Sequence, residues 1–392
     1  MATRARRPLL HYSKAAALPR SAPTFPPLRL AGALGLIFVF AGVLLLVLDL
    51  LRSPSPAPVP GAAEYLVLAE FGPSADTVYR VDPARPSRRS RLLRVPHAPE
   101  YGMIASASPD GRAFAYTVLP PETPAPAPDT PAELWTASMD GTAPRRLGVA
   151  FDLRVRPLWS PDGSSLVVRR SGSAIDPPAG TEGPYELVQV RVPDGAASVL
   201  ARSEVALFPA GFSPDGRTFY YAAVSRAGSD LYGVDTVALT GAPVARLSDD
   251  LTRDWALSPD GSRLAFLTLT PDGPRSRSQV QVLELATGAL AAVGEAGDEF
   301  GPAWTPSGGL TLGALRGGAG AVLLDGEVLG SRPRGFDVPL SWSRSGARVA
   351  ARSFDGPSAT SPGLASLVVI GRDGQRRTIA QGEVTFIGWT YR

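Results

Sequence analysis

Four times in this chain the same four residues recur: Ser108-Pro109-Asp110-Gly111, Ser160-Pro161-Asp162-Gly163, Ser213-Pro214-Asp215-Gly216 and Ser258-Pro259-Asp260-Gly261. Two degenerate copies follow, Thr305-Pro306-Ser307-Gly308 and Ser343-Arg344-Ser345-Gly346, and successive copies begin 52, 53, 45, 47 and 38 residues apart. A period in that range marks a repeat architecture, and four-stranded propeller blades fall near it. Each motif reads as a tight turn. Proline presets φ at the second position of a type I turn, aspartate suits the third, and glycine accepts the left-handed conformation that follows.

The flanks read as strands. A large apolar residue precedes the turn at Trp159, Phe212, Leu257, Trp304 and Trp342, and a β-rich run follows it, as in Thr218-Phe219-Tyr220-Tyr221. A third strand then closes on a second turn: Leu187 to Val192 before Pro193-Asp194-Gly195, and Val280 to Leu285 before Thr287-Gly288. Asp140-Gly141, Gly241, Asp325-Gly326 and Asp373-Gly374 hold the equivalent place, and a short fourth strand such as Arg145-Arg146-Leu147 follows. Four antiparallel strands per unit make a blade. Glycine (41) and proline (40) exceed a fifth of the chain, and the repeats assign that richness to turns rather than to disorder.

The unit Trp-Ser-Pro-Asp-Gly, an apolar strand, and a further strand ending in Asp-Gly resembles the repeat of the TolB-like β-propellers. The resemblance runs from about Tyr65 to Trp389. It implies an all-β propeller. It implies no single function, since such propellers serve in envelope complexes, in sensors and as gates of peptidases.

Both ends of the repeat region bear on the blade count. Tyr65 to Ala69 and Thr77 to Val81 look like second and third strands with no first strand before them, while Val384 to Thr390 looks like a first strand with nothing after it. If the last strand closes the ring against the first blade, the count is seven. Six blades is the alternative, because the glycine-rich stretch from Gly308 to Gly320 makes the sixth unit poor and short.

Ahead of the repeats, Leu30 to Leu48 is a run of 19 uncharged residues, long enough to cross a bilayer core of about 30 Å as a helix. Six basic residues and no acidic one precede Asp49, so the positive-inside rule puts the N-terminus in the cytoplasm and the rest outside. The expected organisation is a basic disordered tail (1–29), a single-pass transmembrane signal anchor (30–51), a proline-rich linker (52–63) and the propeller (64–392), closed by strand 384–390. The apolar run is longer than that of a cleaved signal peptide, though the small residues Gly61-Ala62-Ala63 leave cleavage open. Beyond the tail the balance is 33 basic against 36 acidic residues, which offers nucleic acid no basic patch.

Chemistry is sparse. Cysteine is absent, so no disulfide, thiol nucleophile or zinc–thiolate site exists. The two histidines are His11, in the tail, and His97, read here as a solvated loop residue. There is no Gly-x-Ser-x-Gly elbow. Lactonase-type propellers hold a metal on Glu, Asp and Asn ligands. This chain has no asparagine, although carboxylates alone can bind calcium. The turn aspartates Asp110, Asp162, Asp215 and Asp260 fall one per blade and cannot converge on one ion. No catalytic residue, cofactor or metal is therefore assigned, and a channel-metal hydrolase is the alternative function.

Binding is the main expectation, with a protein, peptide or glycan of the envelope as ligand. In a propeller the loops from one blade's fourth strand to the next blade's first strand ring one mouth of the channel, and the loops between second and third strands share that face. The first set carries Glu100 and Tyr101, Arg154 and Arg156, Arg253 and Asp254, Glu299 and Phe300, and Arg334 and Asp337. The second includes two long insertions, Pro120 to Pro131 and Ser171 to Pro184, suited to offering extended peptide to a partner.

Overall fold

A computed structural model describes residues 63–391, apart from 125, 127–129, 172–183, 274 and 295–296. The expected transmembrane run and its tail lie outside these residues, as do most of the second long insertion and four residues of the first. Among the described residues no helix is long and apolar enough to cross a membrane.

The described residues form seven four-stranded antiparallel sheets. The first blade holds β1 (Glu64–Glu70), β2 (Ala75–Val81) and β3 (Arg89–Pro96). The second holds β4 (Ile104–Ala107), β5 (Ala113–Val118), β6 (Ala132–Ser138) and β7 (Arg145–Phe151). In the third are β8 (Leu158–Trp159), β9 (Ser165–Ser171), β10 (Tyr185–Arg191) and β11 (Ala197–Ser203), and in the fourth β12 (Ala206–Phe212), β13 (Thr218–Ser225), β14 (Gly228–Asp235) and β15 (Gly241–Ser248). The fifth comprises β16 (Leu251–Leu257), β17 (Arg263–Asp272), β18 (Arg275–Glu284) and β19 (Leu290–Ala292). The sixth comprises β20 (Asp298–Trp304), β21 (Leu310–Arg316), β22 (Ala319–Leu324) and β23 (Glu327–Arg332), and the seventh β24 (Phe336–Trp342), β25 (Arg348–Phe354), β26 (Ala365–Gly371) and β27 (Arg376–Gln381). The last strand, β28 (Val384–Tyr391), completes the first blade against β1 in a register running from Glu64↔Tyr391 to Glu70↔Val384. The count is seven.

Local chemistry explains the repeat. In the first motif the Gly111 amide donates to the Ser108 carbonyl at 2.9 Å, and Gly111 takes φ of 68°. The Ser108 hydroxyl donates to Asp110 at 2.6 Å and accepts from the Ala113 amide at 3.0 Å, while Asp110 accepts from the Arg112 amide. Ser160–Asp162 and Ser213–Asp215 repeat this at 2.6 Å. In the degenerate copies Ser307 and Ser345 stand where aspartate stood and pair with Thr305 and Ser343 instead.

Four tryptophans at this position each tie their blade to the one before it. Trp159 donates to the Ser106 carbonyl, Trp304 to Ala256, Trp342 to the Thr311 hydroxyl and Trp389 to Ser341. Among the described residues the core is divided. An apolar cluster lies at each of the seven interfaces between successive blades, and strand alternation feeds two at once: Val67 and Ala69 of β1 pack toward the second blade, Leu66 and Leu68 toward the seventh.

The glycine-rich sixth unit is a regular blade. Gly317 and Gly318, both at positive φ, make the two-residue hairpin between β21 and β22. Gly313 lies opposite Phe300, where an added Cβ would sit 1.9 Å from the Asp337 carbonyl.

Candidate binding face

Each blade's first strand is innermost, so the segments entering these strands define one mouth of the ring. Five of the seven carry a register irregularity there: β12 between Pro209 and Gly211, β16 between Arg253 and Ala256, β20 between Phe300 and Ala303, β24 between Pro339 and Ser341, and β28 opposite Val67–Leu68. A bulge frees backbone groups from the ladder and re-aims side chains.

Arg156 reaches one of these bulges, at Ile387. Its guanidinium donates to the Ala105 carbonyl on β4 and to the Ile387 carbonyl on β28, each at 2.8 Å. Itself just ahead of β8, it links the inner strands of three blades. The side chain keeps exposed surface, yet burial of the charge brings its pKa down to about 10. Asp254 occupies the matching position four residues before the turn serine. The β16 bulge holds it at φ of 55°, and it pairs with Arg253 at 3.3 Å while remaining 44% exposed. Burial pushes its carboxyl up, against the opposing pull of Arg253.

Glu100 is exposed at φ of 68°, and the half-buried Tyr101 donates its hydroxyl to the Pro126 carbonyl. Arg154 is exposed and meets Asp152 at 3.2 Å, a carboxylate engaged more deeply by the buried Arg169. Burial alone would raise the Asp152 pKa, but the charge of Arg169 and further hydrogen bonds carry it below the usual range.

Three of the ten expected mouth residues are buried. Glu299, Phe300 and Asp337 already belong to β20 and β24, because these strands begin at Asp298 and Phe336. Phe300 stacks on Phe336 at 4.4 Å beneath the mouth. Asp337 takes both guanidinium nitrogens of Arg376 at 2.5 Å. Glu299 is 1% exposed; one oxygen accepts the Val280 amide at 2.6 Å, and the other has no hydrogen-bond partner among the described residues. Burial pushes its pKa up to about 7, although the Val280 bond and Arg316 oppose the rise.

His97 also differs from expectation. It is fully buried, stacks on Phe71 at 5.6 Å, and sets Nδ1 2.8 Å from the Ala98 carbonyl and Nε2 3.2 Å from Asp76. The loop from β3 folds back over the first blade. Asp76 also accepts the Met103 amide, so one carboxylate pins the entry to β4. A sequence places His97 in a loop and cannot show that the loop turns inward.

Arg334 is exposed between β23 and β24, and it lines a cleft that sequence reading did not identify. The cleft holds about 460 Å³ between this loop and the β25–β26 loop, with Arg332 and Asp355 in its wall. Both loops belong to the same face. Among the described residues no group of three or more His, Cys, Asp or Glu side chains is placed to hold a metal ion.

No protein-family model matches the chain, and no curated protein sequence matches it. Solved structures do. TolB from Acinetobacter baumannii is 15% identical over 84% of this chain and 66% of its own, with a TM-score of 0.50. A prolyl endopeptidase is 13% identical over 83% of this chain and 50% of its own, at 0.55. A putative 6-phosphogluconolactonase from Bacteroides uniformis is 12% identical over 84% and 100%, at 0.53. The chain thus spans just under two thirds of TolB and half of the endopeptidase. At such identities the likeness is one of fold, and it includes TolB alongside enzymes.

Proposed function

We propose that this chain is a non-catalytic, membrane-anchored, extracytoplasmic propeller whose loop face binds a protein or peptide of the cell envelope. The observation that carries the reading is where the chain joins the ring. Glu64 begins β1 at its turn-face end, accepting the Ser345 amide of the seventh blade's turn. A chain entering at residue 64 therefore joins the ring at its turn face, the end opposite the loop face. The apolar run Leu30 to Leu48, with its basic flank, is the feature that would supply a tether.

Loop-face chemistry supports binding rather than turnover. Its exposed groups are charged and spread over several blades: Glu100, Arg154, Arg253, Asp254 and Arg334. Spread charge of this kind suits recognition of a polar surface, and it affects rate and selectivity of encounter more than raw affinity. The competing reading, a hydrolase with carboxylates around a channel metal, predicts calcium- or manganese-dependent turnover.

A photo-crosslinking residue placed at Arg253, on the loop face, and separately at Arg112, on the turn face, tests the proposal in intact cells. Specific adducts with an envelope protein are expected from position 253 and not from 112. Equal labelling from both, or none from 253, overturns it. A reporter fused after Arg392 should be active only outside the cytoplasm. Asp254 is left unchanged because its positive φ would add backbone strain to any larger replacement.

A further inference from the structure

The cleft between the sixth and seventh blades carries more positive charge than its own acids neutralise. Asp337 is saturated by Arg376, which also donates to the Ser353 hydroxyl at 2.6 Å. Arg332 donates one N–H to the same hydroxyl at 2.5 Å and stands 3.7 Å from Asp337. Its other donors have no partner among the described residues, although its side chain is only 20% exposed. Arg334, on the same wall, makes no hydrogen bond or ion pair among the described residues. Asp355 is the one acid lining the cleft, and it accepts the Leu364 amide at 2.7 Å. Three arginines thus face two aspartates.

Resting on the loop-face reading above, we propose that this cleft captures a carboxylate of a peptide partner, held by the forks of Arg332 and Arg334 with an apolar residue beside it. Guanidinium–carboxylate pairs are among the strongest charge-assisted hydrogen bonds, and arginine's planar fork matches a carboxylate in two-point contact. A phosphate monoester carries roughly twice the charge, and the carboxylate of Asp355 opposes it. No aromatic ring lines the cleft to stack a sugar. An apolar neighbour fits the rim, where Leu364 is 78% exposed beside Gly363.

The opposite wall is preorganised. In the β25–β26 loop the Gly356 amide donates to the Pro362 carbonyl at 2.7 Å, and a bridge joins Ser358 to Ser361. Gly363 sits at φ of 71°, and a Cβ on Gly356 would lie 2.1 Å from the Ser361 carbonyl. A loop already held in shape loses little freedom when a ligand seats against it.

The test uses the full-length chain in detergent and an array of random nine-residue peptides. Bound sequences should be enriched in Asp or Glu next to Leu, Ile or Val. Arg334→Ala, at an exposed loop position, should weaken binding of the recovered peptides at least tenfold with an unchanged melting temperature. Arg334→Lys should retain part of the affinity, and exchanging the selected acid for its amide should mimic Arg334→Ala. Absence of acidic enrichment, or recovery of the same peptides at equal affinity by Arg334→Ala, overturns the proposal. Displacement of bound peptide by inorganic phosphate at far lower concentration than by acetate also overturns it, in favour of a phosphate site. If Arg334→Ala leaves peptide binding intact while crosslinking from position 253 persists, the cleft assignment fails and the loop-face reading stands.

Discussion

Glu299 makes the stability of this propeller depend on pH in a direction opposite to that of most carboxylates. Its folded pKa, about 7, lies above the ordinary 4.5 because the group is sealed at the root of β20. A raised carboxyl binds its proton more tightly in the folded state. Its contribution is therefore fully present below about 4.5 and is lost as pH rises through about 7. At about 1.4 kcal/mol per pH unit, the interval corresponds to about 3 kcal/mol. Glu299→Gln is the test, since glutamine has the shape of the protonated acid and its carbonyl can still accept the Val280 amide. Urea unfolding of the full-length chain in detergent, followed by tryptophan fluorescence, gives the stability of both proteins at pH 5 and pH 8.5. Urea is preferred because it does not screen charge. The native protein should lose about 2.5 kcal/mol more than the variant between the two pH values, since at pH 5 the unfolded carboxyl is already largely ionised. If the two stabilities track each other to within about 1 kcal/mol, the burial argument for Glu299 is wrong.

Removing residues 383–392 deletes the buried side chains of Phe386, Ile387 and Trp389. At about 1.5–3 kcal/mol each, the gross loss is roughly 5–9 kcal/mol, within the range of a whole domain's stability, so no folded monomer should elute on size exclusion. Arg169→Ala leaves Asp152 charged and buried without its 2.5 Å partner, a loss of about 3–5 kcal/mol. The double exchange Asp152→Leu with Arg169→Met should recover most of it in the same urea titration. Since Asp152 titrates below the usual range, the native pair's contribution is present above the ordinary carboxylate pKa and fades only as pH falls through the lowered one.

The architecture was legible because a propeller repeats its instructions. Proline, aspartate and glycine at fixed places need only their immediate neighbours to form a turn, and the tryptophan ahead of the turn acts within one blade step. The unmatched strands at Tyr65 and Val384 pointed to a seventh blade, and their pairing supplies it. The candidate face was less legible, because burial there depends on where a strand begins. Starting β20 three residues later and β24 two residues later would put Glu299, Phe300 and Asp337 in a solvated loop. As folded, all three lie beneath it. His97 was misplaced for a related reason: its partners Asp76 and Phe71 come from β2 and the β1–β2 connection, 21 and 26 positions away. The Arg332–Arg334 cleft needs Asp355 and Arg376 from two further segments, and no local motif announces that convergence.

The closing seam has a mechanical consequence. β1 and β28 run antiparallel, with Glu64 opposite Tyr391 at one end and Glu70 opposite Val384 at the other. A pull that separates residue 64 from residue 391 acts across the strands, loading the ladder one pair at a time from the turn face inward. The same ladder sheared along its length would share the load over every pair. Tension applied through those two points should therefore peel the seam at low force, while tension between residue 64 and a loop-face contact such as Arg253 must be carried through whole blades. A tethered propeller gripped by its loop face is strained along its stronger direction.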